Sequence, residues 1–225
     1  MRVLLVAPPG AGKGTQGVLI ATHFDVPHIA TGDLLRDHVA RRTPIGVAVQ
    51  GYLDRGELVP DEIVLDMVRI AMADAKERGG GYVLDGMPRN MAQARALYQI
   101  GRSLEMTANV VLHLKADDDE LIRRLLARAA LERRSDDTEE VIRRRLALYH
   151  QVTHPIVSWY DARGILVSVD AMRPVQRVAR QILTALETMR SLVDLVPENA
   201  RHSIDLTGLG TAFGAGGTGR HNPAR

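Results

Sequence analysis

Residues 2–16, RVLLVAPPGAGKGTQ, constrain this chain more than any other stretch. The apolar run 2–6 ends in proline and glycine, as a buried strand does. Residues 13–24 then alternate as a helix, with Val18, Leu19 and Ala21 among the apolar positions. A strand, a glycine-rich turn and a helix in that order offer an anion several backbone N–H groups and a helix N-terminus. Gly10, Gly12 and Gly14 let the backbone approach phosphates, and Lys13 adds a point charge toward the outer ones. Two features depart from the generic phosphate loop, which opens on glycine and places Ser or Thr directly after the lysine. Here Ala7 opens the loop, and Gly14 separates Lys13 from Thr15. The plain alternative is a strand-to-helix turn carrying an accidental lysine.

The rest of the chain repeats the alternation. "VPHIA" (26–30), "YVLD" (82–85), "NVVLHL" (109–114) and "GILVSV" (164–169) read as short strands. Helical patterns cover 31–42, 44–54, a stretch from Asp61 that the glycines at 79–81 stop, then 90–102, 117–131, 137–161 and 173–190. Residues 31–42 begin with capping residues, and Asp136 and Asp137 each have a glutamate three residues on, a capping-box-like start for 137–161. Strands alternating with helices predict an α/β fold whose parallel sheet is covered on both faces. There is no internal repeat. Beyond about Ser191 the periodicity fades, and 207–225 carries six glycines in nineteen residues. Such a segment cannot bury enough apolar surface to offset its ordering entropy, so 191–225 reads as a disordered tail.

Composition narrows the class. Aromatics are only 4%, so the core must rest on Leu, Val, Ile, Ala and Met. Cysteine is absent, which excludes disulfides and thiolate metal sites and fits a reducing compartment. The N-terminal apolar run is too short for a signal peptide, and no stretch approaches the roughly 18 apolar residues of a membrane span. The expected location is the cytoplasm, with no membrane partner. A net charge of +2 makes no demand for nucleic acid.

Two further groups carry chemistry. Asp85 ends an apolar strand, where a carboxylate could hold magnesium through water, although a capped turn is the ordinary reading of such a residue. Arg89 follows just past Pro88, near the C-terminal edge of the sheet, where open α/β sheets bind ligands. Arg124 and Arg128 share one face of helix 117–131, opposite Leu121, Ile122, Leu125 and Leu126. Arg133, Arg134 and Arg143–Arg145 come next. Arg123, Arg133, Arg143 and Arg144 read as solvated helix charge. The others match what phosphoryl transfer needs, since forked donors stabilise charge spread over phosphoryl oxygens.

Together, PGAGKGTQ, TGDLLR, GELV, DGMPR with Gln93 beyond it, RSDD and RRRL stand in the order found in adenylate kinases, and residues 1–190 resemble that family. Glycine-threonine after the loop lysine is a mark of it, which accounts for Gly14. The resemblance implies a P-loop three-layer sandwich with a five-stranded parallel sheet, a small monophosphate-binding lobe at about 31–60 and a short lid at about 129–137. It implies reversible phosphoryl transfer from Mg·ATP to AMP, giving two ADP, by a monomer. By position, Gly10, Ala11, Gly12, Lys13, Gly14 and Thr15 would cradle ATP phosphates, with Lys13 following the transferred group. Arg124 would lie against the ATP base and Arg128 near its phosphates, and the backbone around Arg173 would touch the base. Thr31, Arg36, Val59, Gly86, Met87, Pro88, Arg89 and Gln93 would hold AMP, with Arg36 and Arg89 on its phosphate and Thr31 and Gln93 reading adenine. Arg134 and Arg145 would close on the phosphates from the lid side. The catalytic set is then Lys13, Arg89, Arg124, Arg134 and Arg145, with Asp85 reaching magnesium through water. A lid without Cys or His holds no zinc.

The chain departs from the family pattern at two places that matter. Ala7 stands where the family has its first loop glycine; if that position needs positive φ or very close packing, the methyl costs about 1 kcal/mol or more. Ala127, Ala129 and Ala130 surround Arg128 where glycine is expected, which gives helix 117–131 the means to run on through Arg133 and stiffen the lid. A relative preferring UMP, CMP or GMP, and a nucleotide-binding protein with little turnover, are the alternatives; Thr31 and Gln93 favour AMP.

Overall fold

The computed structural model of the chain describes residues 1–132 and 138–195. Five strands form one all-parallel sheet: β1 (Arg2–Val6), β2 (His28–Ala30), β3 (Tyr82–Asp85), β4 (Val110–Lys115) and β5 (Leu166–Asp170), in the order β2-β3-β1-β4-β5. Successive side chains of a strand point to opposite faces. In β1, accordingly, Val3 and Leu5 enter one core while Leu4 and Val6 enter the other. Burial on both faces explains why these strands read as unbroken apolar runs.

The helices divide the same way. α1 (Lys13–Phe24), α6 (Asp118–Glu132), α7 (Glu139–Leu148) and α9 (Val175–Leu195) contribute to the first core. The second takes residues from α2 (Thr31–Ala40), α3 (Pro44–Asp54), α4 (Asp61–Glu77), α5 (Met91–Ser103) and α8 (Pro155–Asp161). No helix among the described residues is long and apolar enough to cross a membrane.

Four local expectations are corrected. The segment 137–161 is not one helix: α7 passes into a π-turn over Tyr149–Thr153 before α8 begins. Pro155 lacks an N–H, and its ring crowds the carbonyl four residues back, so a straight α-helix cannot pass through it. The cap of α7 is Thr138, whose side-chain oxygen accepts from the Val141 N–H; Asp136 and Asp137 lie outside the described residues. Thr31 does not cap its helix: its hydroxyl donates to the Asp85 carbonyl at 3.2 Å. Finally, α9 runs to Leu195, so residues 191–195 are helical and not part of a tail. No proline interrupts Val175–Leu195, and Ser191 continues the helix with its hydroxyl on the Glu187 carbonyl. The reading of 196–225 as disordered falls outside the described residues.

Ala7 also reads differently in three dimensions. Its φ is not in the left-handed region, and its methyl is buried in the first core cluster. The expected strain is therefore absent. Ala7→Gly should leave turnover unchanged and lower unfolding stability by about 1 kcal/mol, through lost packing and a freer unfolded chain. Denaturant melts read beside steady-state rates check this, and a gain in turnover would contradict it.

Candidate active site

The C-terminal ends of β1 and β3 open into a cavity of about 540 Å³. One wall is the loop between β1 and α1. Gly10 and Gly12 adopt φ of +83° and +89°, which only glycine takes at little cost. A Cβ on Gly10 would also stand 2.9 Å from the Leu125 side chain. Gly14 is different, because a Cβ there would meet nothing within 4 Å.

Lys13 turns back over this loop, and its Nζ donates to the carbonyls of Ala7 and Pro8 at 2.9 Å each. Desolvation pulls its ammonium from the ordinary 10.5 down to about 8; Arg89 and Arg128 push the same way, and Asp85 opposes them. Between about pH 8 and 10.5 the folded state has released this proton while the unfolded chain keeps it. The contribution of Lys13 to stability therefore rises across that window.

Cations gather on the other walls. Arg36, Arg89, Arg124, Arg128 and Arg145 all line the cavity with Lys13. Desolvation lowers the pKa of Arg89; Asp85 counters this, and Arg145 and Arg36 add to the lowering. Mutually repelling guanidiniums around one cavity form a site for a multiply charged anion. Arg89 donates from Nε to the Gly86 carbonyl at 2.7 Å, which fixes its fork. Arg124 is held by Glu120 at 2.7 Å and by the Ala171 carbonyl at 3.1 Å. Arg36 instead pairs with exposed Asp33 at 2.5 Å, an ion pair at the cavity wall.

Asp85 is buried at the end of β3 and lines the cavity, as Thr15 does. Their oxygens suit a hard cation. The described residues contain no cluster of three or more His, Asp or Glu that could hold a metal ion. This donor set fits magnesium carried mainly by phosphates and water.

Of the residues singled out from sequence, Gly10, Gly12, Lys13, Gly14, Thr15, Arg36, Gly86, Pro88, Arg89, Arg124, Arg128 and Arg145 line this one cavity. Thr31, Val59, Met87 and Gln93 are buried and do not line it. Ala11 is likewise a buried core residue. Gln93 is bound on both sides: its Oε1 accepts from the Arg89 N–H at 2.7 Å, and its Nε2 donates to Asp61 at 2.7 Å. Arg173 pairs with Asp170 at 3.2 Å, away from the cavity. Arg134 lies outside the described residues, as does the expected continuation of α6 through Arg133; the helix is described to Glu132.

Sequence reading missed Asp61, Tyr149 and Thr153. Asp61 was legible only as an acidic helix start, yet its carboxylate takes both the Gln93 amide and the Asn90 amide. Tyr149 and Thr153 line the cavity from a helical stretch that carries no motif.

Comparison with known proteins bears on the same residues. The family model described as adenylate kinase matches residues 5–165. The adenylate kinase of Thermobifida fusca (strain YX) is 47% identical over 188 residues, spanning 84% of this chain and 99% of that protein. The adenylate kinase of Kocuria rhizophila is 45% identical over 186 residues, 83% of this chain and 98% of the relative. That of Leptospira biflexa serovar Patoc is 40% identical over 185 residues, 82% and 99% respectively.

Proposed function

This chain belongs to the adenylate kinase family, and from that premise we infer that it transfers a phosphoryl group reversibly from ATP to AMP, giving two ADP. The observation that carries the reading is one cavity lined by both the Gly10–Thr15 loop and the Arg36, Arg89 and Arg145 group. Two anions brought into one such space can be placed in line.

No general base is needed, because a phosphate oxygen of AMP is already a nucleophile. The new bond forms from that oxygen to the γ-phosphorus as the bond to the β,γ-bridging oxygen breaks, and ADP leaves with that electron pair. The protein positions the two anions, offsets their repulsion and keeps water out. Lys13 exchanges its loop carbonyls for phosphoryl oxygens and follows the transferred group. Gly14 has open space around it within the protein, which fits a demand for glycine set by the approaching phosphates. Arg89 and Arg36 grip the AMP phosphate, Arg128 and Arg145 meet the phosphates across the cavity, and Arg124 lies toward the ATP base. Residues 31–60 act as the AMP lobe and the stretch about 129–137 as the lid. Magnesium bound with ATP would supply charge neutralisation, and Asp85 would hold it through water. By position in the family pattern Thr31 and Gln93 favour AMP as the acceptor, although both are buried and do not line the cavity. Since Gln93 is engaged with Asp61, reading adenine requires it to turn or share that bond.

A coupled assay of ADP formation with ATP and AMP, GMP, UMP or CMP tests the reading. AMP should be the best acceptor; ATP binding without turnover on any acceptor would overturn it. The lowered Lys13 pKa adds a second expectation. In the free enzyme, kcat/KM for ATP should fall as pH rises past about 8, because the neutral amine no longer attracts phosphate. Phosphate restores the ammonium in the complex, so kcat at saturation should stay flat through the same range. A pH profile from 6 to 10 checks both limbs.

A further inference from the structure

The π-turn at Tyr149–Thr153 has no part in the chemistry above, yet it sits between the two walls of the site. Its defining bond runs from the His154 N–H to the Tyr149 carbonyl at 2.8 Å, one residue longer than in an α-helix. The turn also changes sides: Ile142 and Leu146 before it pack in the first core, and Ile156 and Tyr160 after it pack in the second.

The extra residue changes where side chains point. At about 100° per residue, Thr153 would lie about 80° around a regular helix from Arg145, eight positions earlier. A single π-bulge sets later residues back by about one position, which brings Thr153 to within about 20° of Arg145. Arg145, Tyr149 and Thr153 accordingly all line the cavity.

Each end of the turn is tied down. The Tyr149 hydroxyl meets His113 Nε2 at 3.0 Å, and Ser168 Oγ lies 3.5 Å from His113 Nδ1. Burial, with lesser contributions from Lys115 and His154, pulls His113 to about 4, so this tie to the sheet is between neutral groups at physiological pH. At the other end, a threonine within a helix usually bonds back to the carbonyl four residues earlier. The Thr153 hydroxyl does not. It donates across the cavity wall to the backbone carbonyl of Arg89 at 2.7 Å. The Arg89 N–H is already taken by Gln93 Oε1 at 2.7 Å, and its Nε by the Gly86 carbonyl at 2.7 Å.

We propose that Thr153 is a positioning residue for Arg89, its hydroxyl placed there by the π-turn. One helical segment then sets two phosphate-facing arginines at once, Arg145 directly and Arg89 through its carbonyl. The proposal rests on the reading of Arg89 as a ligand of the AMP phosphate.

Thr153→Val keeps the shape and removes the donor, leaving a half-buried carbonyl unpaired. KM for AMP should rise about tenfold in this variant while KM for ATP stays unchanged. Thr153→Ser, which keeps the hydroxyl, should restore KM for AMP. In an Arg89→Ala background, adding Thr153→Val should have no further effect on AMP, because the group it positions is gone. An unchanged KM for AMP in Thr153→Val would overturn the proposal. So would an equal rise in KM for both nucleotides, failure of Thr153→Ser in a protein of unchanged Tm, or full additivity in the double variant. If Thr153→Val fails to fold, the Thr153→Ser and Thr153→Ala pair decides by the same comparison. Failure of the underlying reading has a separate sign: Arg89→Ala itself would leave KM for AMP intact.

Discussion

Replacing Lys13 with methionine is expected to lower kcat by about a thousandfold, the scale seen when a preorganised donor to developing charge is removed. Methionine keeps the unbranched stem as far as Cε and loses the ammonium, so no charge can follow the transferring group. The fold should survive. Nζ satisfies two loop carbonyls, and loss of these bonds costs about 1 kcal/mol. Relief of a desolvated ammonium crowded by Arg89 and Arg128 works in the opposite direction. The net shift in Tm should not exceed about 2–4 °C for a chain of this size. Single-turnover rates measured beside a thermal melt separate the two effects. A variant that melts normally and retains more than a tenth of wild-type kcat would remove Lys13 from the chemistry.

The second large effect is expected at Arg89. Arg89→Ala should reduce kcat/KM for AMP about a thousandfold, since a fixed, bidentate, partly desolvated donor to a dianion is lost. KM for ATP should move little, because Lys13, Arg124 and Arg128 remain on the cavity wall. Arg89→Lys should recover only part of the loss: lysine keeps a point charge and lacks the fork. It also cannot reproduce the Nε bond to the Gly86 carbonyl that aims the guanidinium. Losses shared equally by ATP and AMP would show that Arg89 supports the whole site and does not grip one substrate.

The two variants draw on parts of the site that were unequally legible. The Gly10–Thr15 loop is local: its glycines, its lysine and the strand before it lie within a dozen residues, so spacing alone brings them together. Arg89 was legible for a similar reason, just past the end of an apolar strand and the Pro88 turn. The strands were readable because both faces are buried, which leaves unbroken apolar runs. Thr153 lacked any such signal. Its partner lies 64 positions away, and its direction depends on a bulge forced by Pro155. Asp61 is similar, meeting Gln93 across 32 positions. Ala7 misled in the other direction: a family pattern there suggested strain, while the backbone angle and the packing of its methyl show a core residue.

What the amino-acid sequence determined by itself is therefore the set of elements and the charged groups they carry, because hydrophobic period, glycine turns and proline boundaries act within a few residues. Only the tertiary structure decided which of those groups share the cavity, how Arg89 is held from three sides, and that residues 139–161 bend through a π-turn. Those outcomes depend on contacts between segments far apart in the chain, and a hydrogen bond across 64 positions leaves no local periodicity to read.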